Sequence, residues 1–156
     1  MADIKFREFS QKQLTVLNWW CEQSSYKNHD AIICDGAVRS GKTLCMSISF
    51  ILWSFYRFSD SSFAICGKTI TSLRRNVITP LLPILSQMGF NIKESKSSNL
   101  ILISRGKQIN RFYLFGGRDE SSASLIQGMT LSGVLLDEVA LMPRSFVEQA
   151  LARCSV

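Results

Sequence analysis

The chain has 156 residues, 46% hydrophobic and 19% charged, with a net charge of +6 and a pI near 9.3. That length suffices for one domain with a core, and the composition excludes a disordered chain. The basic balance favours a polyanionic partner, of which nucleic acid is the commonest.

The opening MADIKFREFS is polar and does not read as a signal peptide. Residues 10–24 read as a helix, with Ser10 as its cap and Leu14, Leu17 and Cys21 on one face. A polar turn spans 26–30 and holds the sole histidine, His29. Residues 31–34 are apolar and end at Asp35-Gly36, which predicts a buried strand feeding a glycine loop. Leu44, Ile48, Ile51, Leu52 and Phe55 then recur at helical spacing, giving a helix from about 42 to 56. Its longest apolar stretch, 48–56, is too short to span a bilayer.

Residues 63–66 are a second short buried strand. A helix follows from about Thr71, and Pro80 and Pro83 end or bend it. Residues 100–103 and 112–115 are strand-like around a polar turn at Arg105-Gly106, which predicts a hairpin. After Gly116-Gly117 come a short helix at 120–126, a buried strand at 133–136 and a helix at 145–153. Strand–helix alternation of this kind gives an α/β fold with a mainly parallel sheet.

Gly36-Ala37-Val38-Arg39-Ser40-Gly41-Lys42-Thr43 fits the pattern G-x-x-x-x-G-K-[ST]. Glycines let backbone N–H groups turn inward around phosphates. A lysine at position 42 reaches the β- and γ-phosphates, and the Thr43 hydroxyl is placed for Mg²⁺. The helix that starts there aims its positive end at the same anion. Gly67-Lys68-Thr69 imitates the end of this motif, but Ser62 stands where its first glycine is needed, so it has no phosphate role.

Val134-Leu135-Leu136-Asp137-Glu138 delivers acids at the carboxyl end of a strand. Asp137 suits Mg²⁺, and Glu138 suits a general base that polarises the attacking water. A second acid of this kind points to an ATPase that activates water. The chain lacks the N-K-x-D guanine signature expected of a GTPase. Arg39, inside the loop, either neutralises charge on the γ-phosphate, senses the nucleotide state, or faces solvent. The five cysteines form no C-x-x-C pair and read as small core residues of a reduced protein.

These residues resemble one family. G-A-V-R-S-G-K-T is similar to the phosphate loop of phage terminase large subunits, which often carry an arginine before Ser-Gly-Lys. The run from Phe115 to Pro143 resembles the same family, especially its prophage PBSX-like branch. Phe9-Ser10-Gln11-Lys12-Gln13 resembles the family's adenine-recognising motif, which implies that Gln13 contacts the adenine edge; Gln11 stands where many members have proline. The resemblance implies a P-loop NTPase of the RecA-like (ASCE) kind, a three-layer αβα sandwich. It also implies a motor that uses ATP and Mg²⁺ to move double-stranded viral DNA into a procapsid. The implied partners are a portal protein, a small terminase subunit and further copies in a ring, with no membrane. The implied setting is the host bacterial cytoplasm, transiently at the portal.

On this reading residues 1–156 are a motor domain truncated at its carboxyl end, without the family's nuclease domain. Catalytic roles fall to Lys42, Glu138 and Arg39, nucleotide contacts to Gln13 and residues 36–43, and metal contacts to Thr43 and Asp137. Arg118 is the candidate for an arginine finger reaching a neighbouring subunit. Arg74, Arg75, Arg105, Lys107 and Arg111 are candidates for DNA phosphates, through contacts indifferent to sequence. The alternatives are a helicase-like DNA-remodelling ATPase and a remnant that only binds nucleotide.

Overall fold

The structure, a computed structural model, describes residues 3–36 and 41–155. Its elements are helix α1 (Gln11–Asn18), helix α2 (Lys42–Arg57), strand β1 (Ser62–Gly67), helix α3 (Ile70–Leu73), a π-helical turn (Arg74–Ile78) and helix α4 (Thr79–Gln87). Strands β2 (Asn91–Ser95), β3 (Leu100–Arg105) and β4 (Gln108–Gly116), helix α5 (Glu120–Gln127), strand β5 (Gly133–Leu136), a 3₁₀ turn (Val139–Leu141) and helix α6 (Arg144–Ala152) complete it.

One five-stranded sheet runs in the order β2-β3-β4-β1-β5. The three strands β4, β1 and β5 are parallel, and β2 and β3 join them as an antiparallel meander on one side. The sheet is therefore mixed, with its parallel part at the strands that lead to the motifs.

Alternation along β1 explains the three layers. Phe63 and Ile65 face α2 and the α3–α4 segment, together with Phe112, Leu114 and Leu135. Ala64 and Cys66 face the other way, joining Phe115, Phe146 and Ala150 under α5 and α6. A strand covered on both faces must be apolar throughout, and residues 63–66 are all buried.

Three expectations need correction. Residues 31–34 form no strand: Ile33 is 88% exposed and the segment runs outside the sheet. Apolarity makes a strand only when the backbone finds a partner ladder, and residues 31–34 have none. β5 is the outer strand of the sheet, and it is Leu131, just ahead of β5, that the 153–155 segment joins instead, through Leu131 N–H to Arg153 O at 2.9 Å and Ser155 N–H to Leu131 O at 3.0 Å. The first helix stops at Asn18, with a turn closed by Cys21 N–H on Asn18 O at 3.0 Å, rather than reaching Ser24. Pro80 and Pro83 do not end their helix: Pro80 lies in the first turn of α4 and Pro83 inside it. The π-turn just before α4 changes the hydrogen-bonding register, an adjustment by which a helical run absorbs a local irregularity in its ladder. Among the described residues no helix is long and apolar enough to cross a membrane.

Candidate nucleotide-binding site

The site lies where the parallel strands end. Parallel β1 and β5 bring Cys66 and Leu136 into register, and Asp137 N–H donates to Cys66 O at 2.8 Å, prolonging the ladder by one bond. Asp137 is thereby held at the sheet's carboxyl rim, 7% exposed. Its carboxylate accepts a hydrogen bond from Thr43 Oγ1 at 3.3 Å. Burial pushes the Asp137 carboxyl up from its ordinary range, and the neighbouring Glu138 charge pushes the same way; the Thr43 hydroxyl and the Lys42 ammonium oppose them.

Glu138 follows at φ 54° and ψ 47°, a left-handed conformation, and its residue is exposed. Adjacent acids are thus turned to different places: Asp137 inward to Thr43, Glu138 outward to the rim.

Gly41 begins α2 at φ 77°, a conformation open to glycine at little cost. Cys45 N–H donates to Gly41 O at 3.1 Å and opens the helical ladder. The N–H groups of the first turn have no intrahelical acceptor and point out of the helix end, where they suit an anion. Lys42 Nζ donates to Gly36 O at 2.6 Å, so the two ends of the loop are tied together. Ala37, Val38, Arg39 and Ser40, expected at the nucleotide, lie outside the described residues.

Gln13 approaches this loop from α1. Its Oε1 accepts from Ser10 N–H at 2.9 Å, and its own N–H donates to Ser10 Oγ at 3.2 Å, a reciprocal helix cap. The amide Nε2 turns to Gly41, 2.8 Å from where a Cβ on that glycine would stand. Sequence places Gln13 at the nucleotide only by resemblance, and the capping role has no part in that expectation.

Other candidates fall elsewhere. Thr69, in the Gly67-Lys68-Thr69 run, caps α3 by accepting from Ser72 N–H at 3.1 Å. Arg118 is exposed near the rim, its Nε donating to Leu141 O at 3.3 Å. Arg74 pairs with Glu94 and Asn99. Arg111 pairs with Asp60 at 2.7 Å, and Arg105 lies over the Phe90 ring at 4.5 Å. Arg105, Lys107 and Arg111 sit where β3 ends and β4 begins, at the opposite end of the sheet from Asp137. Arg105, Lys107 and Arg111 therefore do not form one patch with the site.

A family model described as "Terminase large subunit, T4likevirus-type, N-terminal" matches residues 33–155. No curated protein matches the chain. Among solved structures, the large terminase of a thermophilic bacteriophage is 53% identical with a TM-score of 0.94, over 96% of this chain and 37% of that one. The same phage protein in complex with ADP is 52% identical with a TM-score of 0.90, over 96% and 36%. The large terminase ATPase domain of Thermus phage P74-26 is 17% identical with a TM-score of 0.52, over 74% and 52%, a likeness of fold alone. The chain spans 37% of the length of the first of these relatives. The PBSX-like branch rests on the 115–143 run alone.

Proposed function

Because this chain belongs to the terminase large-subunit family, we propose that it is the ATPase part of a motor that drives double-stranded viral DNA into a procapsid. Residues 1–156 supply nucleotide binding and hydrolysis, and the nuclease lies outside them. The portal, the small subunit, the ring of copies and the cytoplasmic setting belong to the whole protein's proposed task. The observation that carries the ATPase reading is the Thr43–Asp137 contact at 3.3 Å, which joins the phosphate loop to the strand-end acid.

ATP is proposed to lie along the loop from Gly36 to Thr43. The N–H groups at the start of α2 hold its phosphates, with Ala37, Val38 and Ser40 lining the loop between. Lys42 moves from the Gly36 carbonyl to the β- and γ-phosphates, and Arg39 adds charge at the γ-phosphate. Gln13, already beside Gly41, reads the adenine edge. Thr43 and Asp137 offer a hydroxyl and a carboxylate, hard oxygens of the kind Mg²⁺ takes together with phosphates, so the residues fit that ion. When bound, Mg²⁺ neutralises phosphate charge. Glu138, exposed at the rim, accepts the proton of the attacking water. Arg118, on the same rim, is proposed to reach a neighbouring subunit's nucleotide.

The test is a split between binding and turnover in the intact protein. Glu138→Gln is expected to bind Mg·ATP as the wild type does while hydrolysis falls about 10²–10⁴-fold. Lys42→Ala is expected to lose both. Full turnover by either variant removes the role given to that residue.

A further inference from the structure

Helix α1 carries Gln13, yet none of its residues is buried. Leu17 packs against the core without being enclosed by it. Eight residues are too few for a helix to persist in water unaided. Something outside α1 must set where it lies and how it is rotated.

That contact comes from Ser49, in the middle of α2 and 2% exposed. Its Oγ donates to Val16 O at 2.7 Å, with Leu17 O at 3.3 Å, and accepts from Trp20 Nε1 at 3.0 Å. Two other buried serines of α2 behave differently. Ser47 Oγ donates to Thr43 O and Ser54 Oγ donates to Ile51 O, each at 2.6 Å, so both hydroxyls turn back into their own helix, as mid-helix serines ordinarily do. Ser49 alone of the three reaches a second helix. It meets α1 at its last carbonyls, which have no intrahelical partner. Trp20, held by the same oxygen, packs against Tyr56 of α2 with ring centroids 5.1 Å apart.

The far end of α1 is the capping box that fixes the Gln13 side chain. From the Ser49 contact at Val16 and Leu17 to Gln13 is about one helical turn, roughly 5 Å along α1, clamped at one end by a buried hydroxyl and leading to Gly41 at the other. We infer that Ser49 is a positioning residue: it docks α1 on α2 in the one setting that brings the Gln13 amide over the phosphate loop. The nucleotide half of this inference rests on the proposed adenine contact of Gln13; the docking half does not.

Hydrogen exchange on the nucleotide-free chain tests the docking. In Ser49→Ala, amides 14–18 of α1 are expected to exchange roughly tenfold faster, as two hydrogen-bonding links are lost. Amides 48–53 of α2 and the melting temperature should stay near wild type. Ser49→Thr, which keeps the hydroxyl, should restore slow exchange, and Trp20→Phe, which keeps an aromatic ring and removes the N–H, should give a smaller increase. Unchanged α1 exchange in Ser49→Ala overturns the inference.

Calorimetry with Mg·ATP tests the link to nucleotide. Ser49→Ala and Gln13→Ala are each expected to weaken binding several-fold, and the double variant to bind no more weakly than Gln13→Ala. If Gln13→Ala binds as wild type, the adenine reading falls and the nucleotide half falls with it, while exchange still decides the docking. If Gln13→Ala weakens binding and Ser49→Ala does not, the coupling between the two residues is refuted.

Discussion

Thr43 and Asp137 lie 94 positions apart in the chain, and the Thr43 hydroxyl donates to the Asp137 carboxylate at 3.3 Å. This contact ties the start of α2 to the end of β5, and it sets a buried carboxylate beside a second acid. A charge so placed is costly to the empty protein. Asp137→Asn removes the charge while keeping the shape and an oxygen for Thr43. The variant is expected to melt no lower than wild type, yet to lose the benefit of Mg²⁺ in ATP binding, by about 10–100-fold in affinity. Calorimetry with Mg·ATP and with ATP plus chelator measures that benefit directly. An Asp137→Asn protein in which Mg²⁺ still tightens binding as in wild type contradicts the metal role.

Gly116 closes β4 where there is no room for a side chain. A Cβ there would stand 2.1 Å from Asp119 Oδ2, 2.7 Å from the Ile70 nitrogen and 2.8 Å from the Thr69 Cα. Two of the three are backbone atoms and cannot rotate away. Gly116→Ala is expected to cost about 1–3 kcal/mol, the usual cost of overpacking. Urea unfolding measures it, and a variant within ~0.5 kcal/mol of wild type contradicts the packing argument.

What is legible in the sequence is local. Helix α2 and strand β5 lie within a residue or so of their expected bounds, because each carries its own period between clear stops. The phosphate-loop pattern and Asp137-Glu138 are legible for the same reason. Strand β2 is not, because Asn91-Ile92-Lys93-Glu94-Ser95 is an edge strand with one inward apolar residue, and its strand character comes from pairing with β3. Residues 31–34 fail in the opposite sense: they are apolar enough for a strand but unpaired. The Gln13–Gly41 approach and the Ser49–Val16 bond join separate elements. The only sequence sign of the latter is an isolated serine in an apolar helical run, and nothing in that run tells Ser49 from Ser47.

Cys66 sits in the middle of the parallel strands, fully buried, and burial drives its thiol far above the ordinary range. Thiolate is the reactive form, so the native thiol is silent. Labelling with iodoacetamide at pH 8, read by mass spectrometry, should modify Cys66 at least ~10³-fold more slowly than in urea, because reaction waits for unfolding. The sign of the pH effect follows. The folded state holds its proton more tightly, so this contribution to stability is complete below the unfolded thiol's pKa and declines as pH rises above it. Rapid labelling of Cys66 in the folded protein contradicts its burial.

Glu138 holds a left-handed backbone at φ 54° on a residue that ordinarily avoids it. Glycine adopts that conformation freely, whereas alanine suffers the same clash as glutamate. Position 138 is exposed, so neither substitution removes a packed side chain. Two effects compete in Glu138→Gly: relief of roughly 1–2 kcal/mol of strain, and an unfolded-state entropy penalty of about 0.5–1 kcal/mol. Relief is the larger, so Glu138→Gly is expected to be more stable than Glu138→Ala by about 0.5–1 kcal/mol in urea unfolding. Both should be equally deficient in ATP hydrolysis, since both lack the proposed base. A strained backbone retained at a residue proposed for catalysis is the usual exchange of stability for function. Should alanine prove as stable as glycine at 138, the left-handed turn carries no strain and its link to catalysis is lost.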